Sequence, residues 1–191
     1  MKRKLLEWLC CPACGHDFDL EAFQERGLDV EEGVLRCVCG AAYPVVDGIP
    51  RILPDAYEQF PAFAQAYAGR LGRPAPPSAG GNGAAAFERA QAKTQRSFGF
   101  QWTMFSAMSD TFQEDFLNYV FPLRPEFFKG RVGLDAGCGF GRHIYYAVSF
   151  GADMVGVDFS RAIDATHQNT KQFERVHLIQ GDIYRLPLKP G

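Results

Sequence analysis

Residues 132–142 read VGLDAGCGFGR, an apolar run that ends in a carboxylate and continues into three glycines at every second position. This pattern predicts a buried β-strand that turns directly into a helix and leaves the backbone of the turn bare. Further along the chain, residues 155–158 (VGVD) again end an apolar run in an acid, and residues 176–182 (VHLIQGD) do so a third time. The sequence therefore predicts three strands that each end at an acidic residue.

The segments between these strands have the length and composition of helices. The predicted elements in order are strand 132–136, helix 141–150, strand 153–157, helix 161–173 and strand 176–180. Strands that alternate with helices predict an α/β fold with a Rossmann-like parallel sheet. Right-handed crossovers bring the carboxyl ends of the strands to one edge, where open α/β sheets bind ligands. We therefore expect Asp135, Asp158 and Asp182 along that edge, in a nucleoside-binding domain.

The composition limits the classes of function. A net charge of −2 gives no electrostatic case for binding nucleic acid. No apolar stretch approaches the roughly 20 residues that cross a bilayer. The basic start of the chain is interrupted by Glu7 and by cysteines, so it does not resemble a signal peptide. We expect a cytoplasmic protein without a membrane partner.

Cysteines are concentrated near the amino terminus, where Cys11 and Cys14 form one close pair and Cys37 and Cys39 another. Thiolates spaced this closely on a tight turn can occupy two corners of a tetrahedron, and a second turn supplies the other two. Such a Cys₄ arrangement suits a structural Zn²⁺ ion, which would supply much of the folding free energy of a small module. The alternative is a set of free buried cysteines or a redox pair. Cys10 is expected to be a bystander.

Residues 9–14 (LCCPAC) and 35–50 (LRCVCGAAYPVVDGIP) resemble the zinc-ribbon module of the small activator proteins of tRNA and translation-factor methyltransferases. The YP…DGIP tail is the specific part of the match. The resemblance implies that Cys11, Cys14, Cys37 and Cys39 are the metal ligands. It also implies a small β-rich fold and a protein partner that binds through the zinc ribbon.

The glycine loop has to be compared with the dinucleotide-binding pattern G-x-G-x-x-G. Gly137 and Gly139 match its first two glycines, but the third position falls on Arg142. An acid at Asp135 would repel a pyrophosphate and attract an ammonium group. The loop is therefore better suited to a cationic amino-acid nucleoside than to a nicotinamide dinucleotide.

Residues 135–141 (DAGCGFG) resemble motif I of the class I S-adenosylmethionine-dependent methyltransferases, an acid followed by G-x-G-x-G. The resemblance extends over residues 131–191 and implies S-adenosylmethionine as the cofactor. It implies that Gly137 and Gly139 approach the methionine part, that Asp135 helps to fix the loop, and that Asp158 accepts hydrogen bonds from the ribose hydroxyls. Asp182 and Ile183 are implied as the adenine contacts.

The resemblance also implies what the chain does not contain. Class I methyltransferase sheets usually have seven strands, and this chain ends just after the third, so we expect a fragment of the full enzyme with an exposed strand edge. Methyl transfer needs mainly positioning of donor and acceptor, so we expect no fixed catalytic residue in the glycine loop. Any catalytic base and the acceptor pocket are expected beyond Gly191, and neither the catalytic residues nor the methyl acceptor is identified. The alternatives are a non-catalytic interaction module with a partial α/β unit and, third, a nicotinamide-dependent oxidoreductase.

Four segments are expected along the chain. They are a zinc-ribbon module (1–54), a helical segment with a Pro/Gly/Ala-rich linker (55–86), a helical aromatic-rich cap (87–130) and the amino-terminal half of a methyltransferase domain (131–191). The cap contains six aromatic residues predicted to form the core of a helical layer over the sheet: Phe98, Phe100, Trp102, Phe105, Phe112 and Phe116. In a second interpretation, Phe98 and Trp102 line a lid over the cofactor or the acceptor. His143 is expected to be structural, and Cys138 to fill space in the loop.

Overall fold

The structure is a computed structural model that describes residues 1–71 and 111–190. Within these residues the chain forms two compact units, one of residues 1–71 with 180–190 and one of residues 111–179. None of the described helices is both long enough and apolar enough to cross a membrane. The predicted linker and the aromatic residues from Phe98 to Phe105 lie outside the described residues.

The first unit begins with an antiparallel meander. After a 3-10 helix at Arg3–Glu7, its strands are β1 (Phe18–Arg26), β2 (Asp29–Cys37), β3 (Ala42–Val46) and β4 (Ile49–Ile52). Asp47 and Gly48 form the two-residue turn between β3 and β4 with φ values of 53° and 74°. Because such hairpin turns need positive φ at both positions, the Asp-Gly pair fixes where the chain reverses.

Three short helices pack on this meander, and the core of the unit lies between them and the strands. The helices are α1 (Ala56–Gln59), α2 (Pro61–Ala66) and α3 (Ala68–Leu71). Phe60, Phe63 and Leu71 pack there against Val34 and Val46 of the strands. The helices are too short to be stable alone, so this apolar contact is what holds them in place.

The carboxyl-terminal residues of the description also belong to the first unit. Strand β7 (Val176–Gly181) contributes its last two residues, which pair in parallel with β4, and a 3-10 helix follows at Ile183–Arg185. Beyond it, Leu188 forms a β-bridge with Leu9, and the backbone N–H of Lys189 donates to the carbonyl of Trp8 over 2.8 Å. Two segments far apart in sequence therefore share one compact unit.

The second unit alternates helices and strands as the sequence predicts. Its elements are α4 (Thr111–Tyr119), α5 (Pro125–Phe128), β5 (Val132–Ala136), α6 (Arg142–Ser149), β6 (Asp153–Asp158), α7 (Ala162–Thr170) and the first part of β7. Strands β5 and β6 are parallel, and β7 follows β6 in the strand order. The predicted α/β fold with parallel strands is confirmed, and both predicted helices are slightly shorter than expected.

Close packing of α6 on β6 depends on Gly156. A Cβ atom at this position would lie 2.4 Å from Cδ1 of Ile144 in α6. Both faces of β6 are covered, and its residues from Met154 to Val157 are buried. The helix can therefore approach this strand only because the strand has no side chain at Gly156.

Strand β5 differs from the prediction of a buried strand. Val132 and Leu134 remain 60% and 46% exposed. Val132 and Leu134 alternate onto the same face of β5, and both line the cavity beside this strand, so their side chains are only partly covered there. The strand also pairs only with β6 among the described residues. The prediction that the first strand of the sheet is buried is therefore wrong for the described residues.

Two of the six aromatic residues of the predicted layer, Phe112 and Phe116, lie in the described part of the second unit. Phe116 is 4% exposed and packs against Phe128, Tyr146 and Phe150, with ring centroids 5.4–6.2 Å apart. Phe112 contacts Phe140 edge-on at 6.0 Å. These contacts are with helix and loop residues, so a layer over the sheet stays a prediction, and the other four aromatic residues lie outside the described residues.

Candidate functional site

The four cysteines of the predicted metal site lie on two tight turns of the first unit. In the first turn the amide of Gly15 donates to the carbonyl of Cys11 over 2.7 Å, and in the second the amide of Gly40 donates to the carbonyl of Cys37 over 2.9 Å. Both glycines have positive φ, 76° and 89°, which lets each loop fold back at once. The backbone therefore directs two cysteines from each turn toward the same point.

The sulfur atoms are close enough to share one ion. The four Sγ atoms of Cys11, Cys14, Cys37 and Cys39 all lie within 4.8 Å of one another. Two cross-turn separations are 3.7 Å, between Cys11 and Cys39, and 3.3 Å, between Cys14 and Cys37. A zinc ion with Zn–S bonds of about 2.3 Å places its thiolates about 3.8 Å apart. The donor set and its spacing therefore fit a closed tetrahedral zinc site.

The thiols of this cluster differ in acidity. Burial raises the pKa of Cys11 to about 12, whereas a hydrogen bond from the backbone of Ala41 lowers the pKa of the exposed Cys39 to about 7. Burial also raises the pKa of Cys37. A cation at the centre would be needed to keep the buried sulfurs as thiolates at neutral pH.

The glycine loop follows β5 in the second unit and has an unusual backbone. Gly137, Gly139 and Gly141 all have positive φ, at 87°, 56° and 85°. The amide of Gly137 donates to the carbonyl of Val157 over 2.7 Å, which attaches the loop to β6. A Cβ atom at Gly137 would meet no atom within 4 Å, so the space on that side of the backbone is open. The loop therefore presents bare backbone to a volume that a ligand can enter.

Gly141 has a different role in the same loop. A Cβ atom there would lie 2.5 Å from Cγ2 of Thr166 in α7. Thr166 is completely buried, and its hydroxyl donates to the carbonyl of Gly139 over 2.6 Å. The third glycine thus lets α7 press against the loop and lets α6 begin at Arg142.

Asp158, at the end of β6, holds the loop from the other side. Its Oδ2 accepts the amide of Gly139 over 2.8 Å, and its Oδ1 accepts the amide and the hydroxyl of Ser160 over 2.8 and 2.7 Å. A carboxylate has about four acceptor positions, and donors among the described residues fill three of them. The loop is therefore ordered around a carboxylate that still has room for about one further donor.

Asp135 is a second carboxylate next to this loop. It is half-buried, and no described residue donates a hydrogen bond to it. Burial and the negative charge of Asp158 raise its pKa to about 6, although Arg142 partly offsets the effect. Since the charged form is disfavoured there, a cationic ligand beside Asp135 would be favoured electrostatically.

The remaining residues that the sequence analysis assigned to the cofactor, Asp182 and Ile183, belong to the first unit. Oδ1 of Asp182 accepts the amide of Tyr184 over 2.9 Å and so begins the 3-10 helix. Ile183 is 44% exposed, and Tyr184 is more exposed still. These side chains are presented at the surface of their unit.

His143 and Cys138 also lie near the glycine loop, and the sequence analysis expected both to have structural roles. His143 stacks on Tyr119 at 5.0 Å, and burial lowers its pKa. It lines a cavity of about 680 Å³ beside β5, together with Asp135 and Leu134. Cys138 is buried in the loop, and burial raises its pKa far above the ordinary value, so it is a poor nucleophile.

Sequence reasoning missed two residues that support the loop. Thr166 binds and packs against it from α7, and Ser160 shares the Asp158 carboxylate. Ser160 could have been found, since a serine two positions after an aspartate often forms such a local turn. Thr166 gives no comparable signal, because no residue near it in sequence indicates that its hydroxyl binds the glycine loop.

Two protein-family models match parts of this chain. Residues 2–48 match the family model of Trm112p-like proteins, and residues 134–191 match a methyltransferase domain family. No curated protein matches the chain.

Two solved structures are similar in part. One is a protein from Pyrococcus horikoshii assigned as an RNA methyltransferase, with 25% identity and a TM-score of 0.34 over 39% of this chain and 37% of that one. The other is magnesium protoporphyrin IX methyltransferase from Synechocystis PCC 6803 with bound SAH, with 17% identity and a TM-score of 0.41 over 50% of this chain and 53% of that one. The chain thus spans about half or less of the length of these two proteins. On the two family matches, it carries a Trm112p-like amino-terminal domain with a cysteine cluster that fits a zinc ribbon, followed by a methyltransferase domain.

Proposed function

We propose that this chain binds S-adenosylmethionine at the glycine loop after β5 and belongs to an enzyme that transfers the methyl group to an acceptor. The proposed contacts are Gly137 and Gly139 for the methionine part and Asp158 for the ribose. Asp182 and Ile183 are assigned to the adenine by sequence resemblance alone. The methyltransferase family match over residues 134–191 supports the reaction class.

The observation that carries the proposal is the pair of carboxylates beside a bare backbone. Asp135 is half-buried close enough to Asp158 for the two charges to interact, and the raised pKa of Asp135 reflects that. A pyrophosphate would add negative charge to this place, whereas the ammonium and sulfonium groups of S-adenosylmethionine add positive charge. The open space at Gly137 provides room for such a ligand.

When bound, S-adenosylmethionine supplies an electrophilic methyl group on a positively charged sulfur. The chain's own contribution is positioning, which can account for most of the rate gain in a displacement of this kind. Asp158 orders the loop through Gly139, and Thr166 holds the same residue by its carbonyl. We assign no catalytic base to a described residue, and the acceptor remains open between a small molecule and a macromolecule.

The second candidate role of the amino-terminal unit is to bind a protein partner. We place the protein in the cytoplasm, where thiols stay reduced and can bind zinc. The match of residues 2–48 to Trm112p-like proteins favours the partner-binding role. Leu28 and Val38 also favour it, since these apolar side chains are 87% and 79% exposed. In this role the unit would bind another protein whether or not the glycine loop binds a nucleoside.

Titration calorimetry of the whole chain with S-adenosylmethionine and, separately, with NADH tests the proposal. We expect saturable binding of S-adenosylmethionine and none of NADH. Binding of NADH alone would overturn the assignment in favour of an oxidoreductase, and binding of neither would favour the interaction module. Asp153→Asn, at the opposite end of the same strand as Asp158, is the matched control and should bind like the wild type.

A further inference from the structure

Arg51 in β4 is a completely buried cation, with 0% of its surface exposed. Its guanidinium lies over the ring of Phe60 at 4.5 Å, and its Nη2 donates to the carbonyl of Val46 over 3.2 Å. Burying a guanidinium is costly unless its donors are satisfied. This buried guanidinium in a short strand therefore needs hydrogen-bond partners within the first unit.

The other terminal nitrogen of Arg51 begins a relay of side chains. Nη1 donates to Oε1 of Gln180 over 3.2 Å, and Nε2 of Gln180 donates to Oε1 of Gln59 over 3.2 Å. Nε2 of Gln59 then donates to Oδ1 of Asp55 over 3.0 Å. Each amide accepts at its oxygen and donates at its nitrogen, so the relay runs in one direction from a cation to a carboxylate. Bonds of this kind strengthen one another in a low-dielectric interior.

The relay lies within the first unit, which includes the last two residues of β7. Gln180 is completely buried, and its backbone is the parallel partner of Arg51, as Gly181 is of Ile52. The next residue is Asp182, which caps the 3-10 helix by accepting the amide of Tyr184. All of these residues belong to the first unit. The residues held by the strand pairing and the relay are therefore followed directly by Asp182, which caps the 3-10 helix.

We propose that Arg51 is a positioning residue for cofactor binding, which acts through Gln180 to hold the carboxyl end of β7 and thereby orient Asp182 and Ile183. The inference rests on the proposed function, where these two residues are assigned to the adenine. It assigns Arg51 a role at Asp182 and Ile183, which belong to the same compact unit. The family match of residues 134–191 extends through this end of β7, yet the residues that hold it lie in β4 and α1.

Arg51→Met tests the proposal by two readouts on the whole chain. Hydrogen exchange at the amide of Tyr184 should become about tenfold faster, as expected for the loss of one hydrogen bond to a charged group. The Kd for S-adenosylmethionine and for S-adenosylhomocysteine should rise by the same factor of about ten, because both share the adenosine. Arg51→Lys keeps the charge and should restore part of both effects. The control is Arg26→Met, an exposed arginine paired with Glu31, which should change neither.

Zinc content and circular dichroism report whether the variants fold. If Arg51→Met does not fold, Gln59→Met interrupts the same relay at a half-buried position and should give smaller changes in the same direction. Unchanged exchange at Tyr184 in a folded variant would overturn the inference, and so would faster exchange with unchanged affinity for the cofactor. If the wild type binds no S-adenosylmethionine but Arg51→Met still speeds exchange at Tyr184, the proposed function is wrong. The inference that Arg51 holds the carboxyl end of β7 is then still supported.

Discussion

Replacing Asp158 by asparagine should loosen the glycine loop and weaken cofactor binding together. The carboxylate accepts three hydrogen bonds, one from Gly139 and two from Ser160, at 2.7–2.8 Å. An asparagine can keep its oxygen toward Ser160, but its NH₂ group then faces the amide of Gly139, which is also a donor. The bond that attaches the middle of the loop is therefore lost.

The size of the effect follows from that bond. A hydrogen bond to a charged group contributes about 1.5–3 kcal/mol, so we take about 2 kcal/mol for its loss. If local opening exposes Gly139, this free energy corresponds to amide exchange about 30-fold faster. The affinity for S-adenosylmethionine should fall by tenfold or more, since a ribose hydroxyl also loses a charged acceptor.

Hydrogen exchange followed by NMR measures the first effect, and titration calorimetry measures the second. Asp153→Asn changes the same residue type at the opposite end of the same strand, away from the glycine loop, and should leave the exchange rate of Gly139 and the cofactor affinity near those of the wild type. Equal exchange rates at Gly139 in the two variants would refute the reasoning that Asp158 orders the loop.

Three further predictions concern the metal site, the pH dependence and the glycines. Cys37→Ser should abolish stoichiometric zinc binding in metal analysis while Cys10→Ser retains it, because four thiolates complete the tetrahedron. Affinity for S-adenosylmethionine should rise as the pH increases through about 6, since deprotonated Asp135 attracts the cationic ligand; titrations at several pH values should show that Asp135→Asn loses this dependence. In chemical unfolding, Gly141→Ala should cost about 1–3 kcal/mol more than Gly137→Ala, because only the first creates a clash; calorimetry should rank the two in the opposite order for cofactor affinity.

Local signals explain why the second unit could be predicted well. The order of strands and helices from Val132 to Gly181 follows from apolar runs, acids and glycines that are neighbours in sequence, and the structure reproduces it. The two cysteine pairs likewise predict two tight turns, and in the structure their four sulfur atoms lie within 4.8 Å of one another. The assignment of cofactor contacts rests on the same local motifs and stays a prediction.

Long-range pairing explains what could not be predicted. Nothing near Gln180 indicates that it pairs with Arg51, because the two residues are 129 positions apart and the pairing depends on the whole fold. The exposure of Val132 and Leu134 was missed for a related reason. An apolar strand has the same sequence pattern whether or not another element covers each of its faces completely. Thr166 was missed because its contact with Gly139 joins two elements that meet only in the folded chain.

The most direct test of the central claim is a titration of the isotope-labelled chain with S-adenosylmethionine, followed through backbone amide resonances. We predict saturable shifts at Gly137 and Gly139, and their loss in Asp158→Asn but not in Asp153→Asn. Saturable binding that leaves the amides of Gly137 and Gly139 unshifted would contradict the assignment of the glycine loop as the cofactor site.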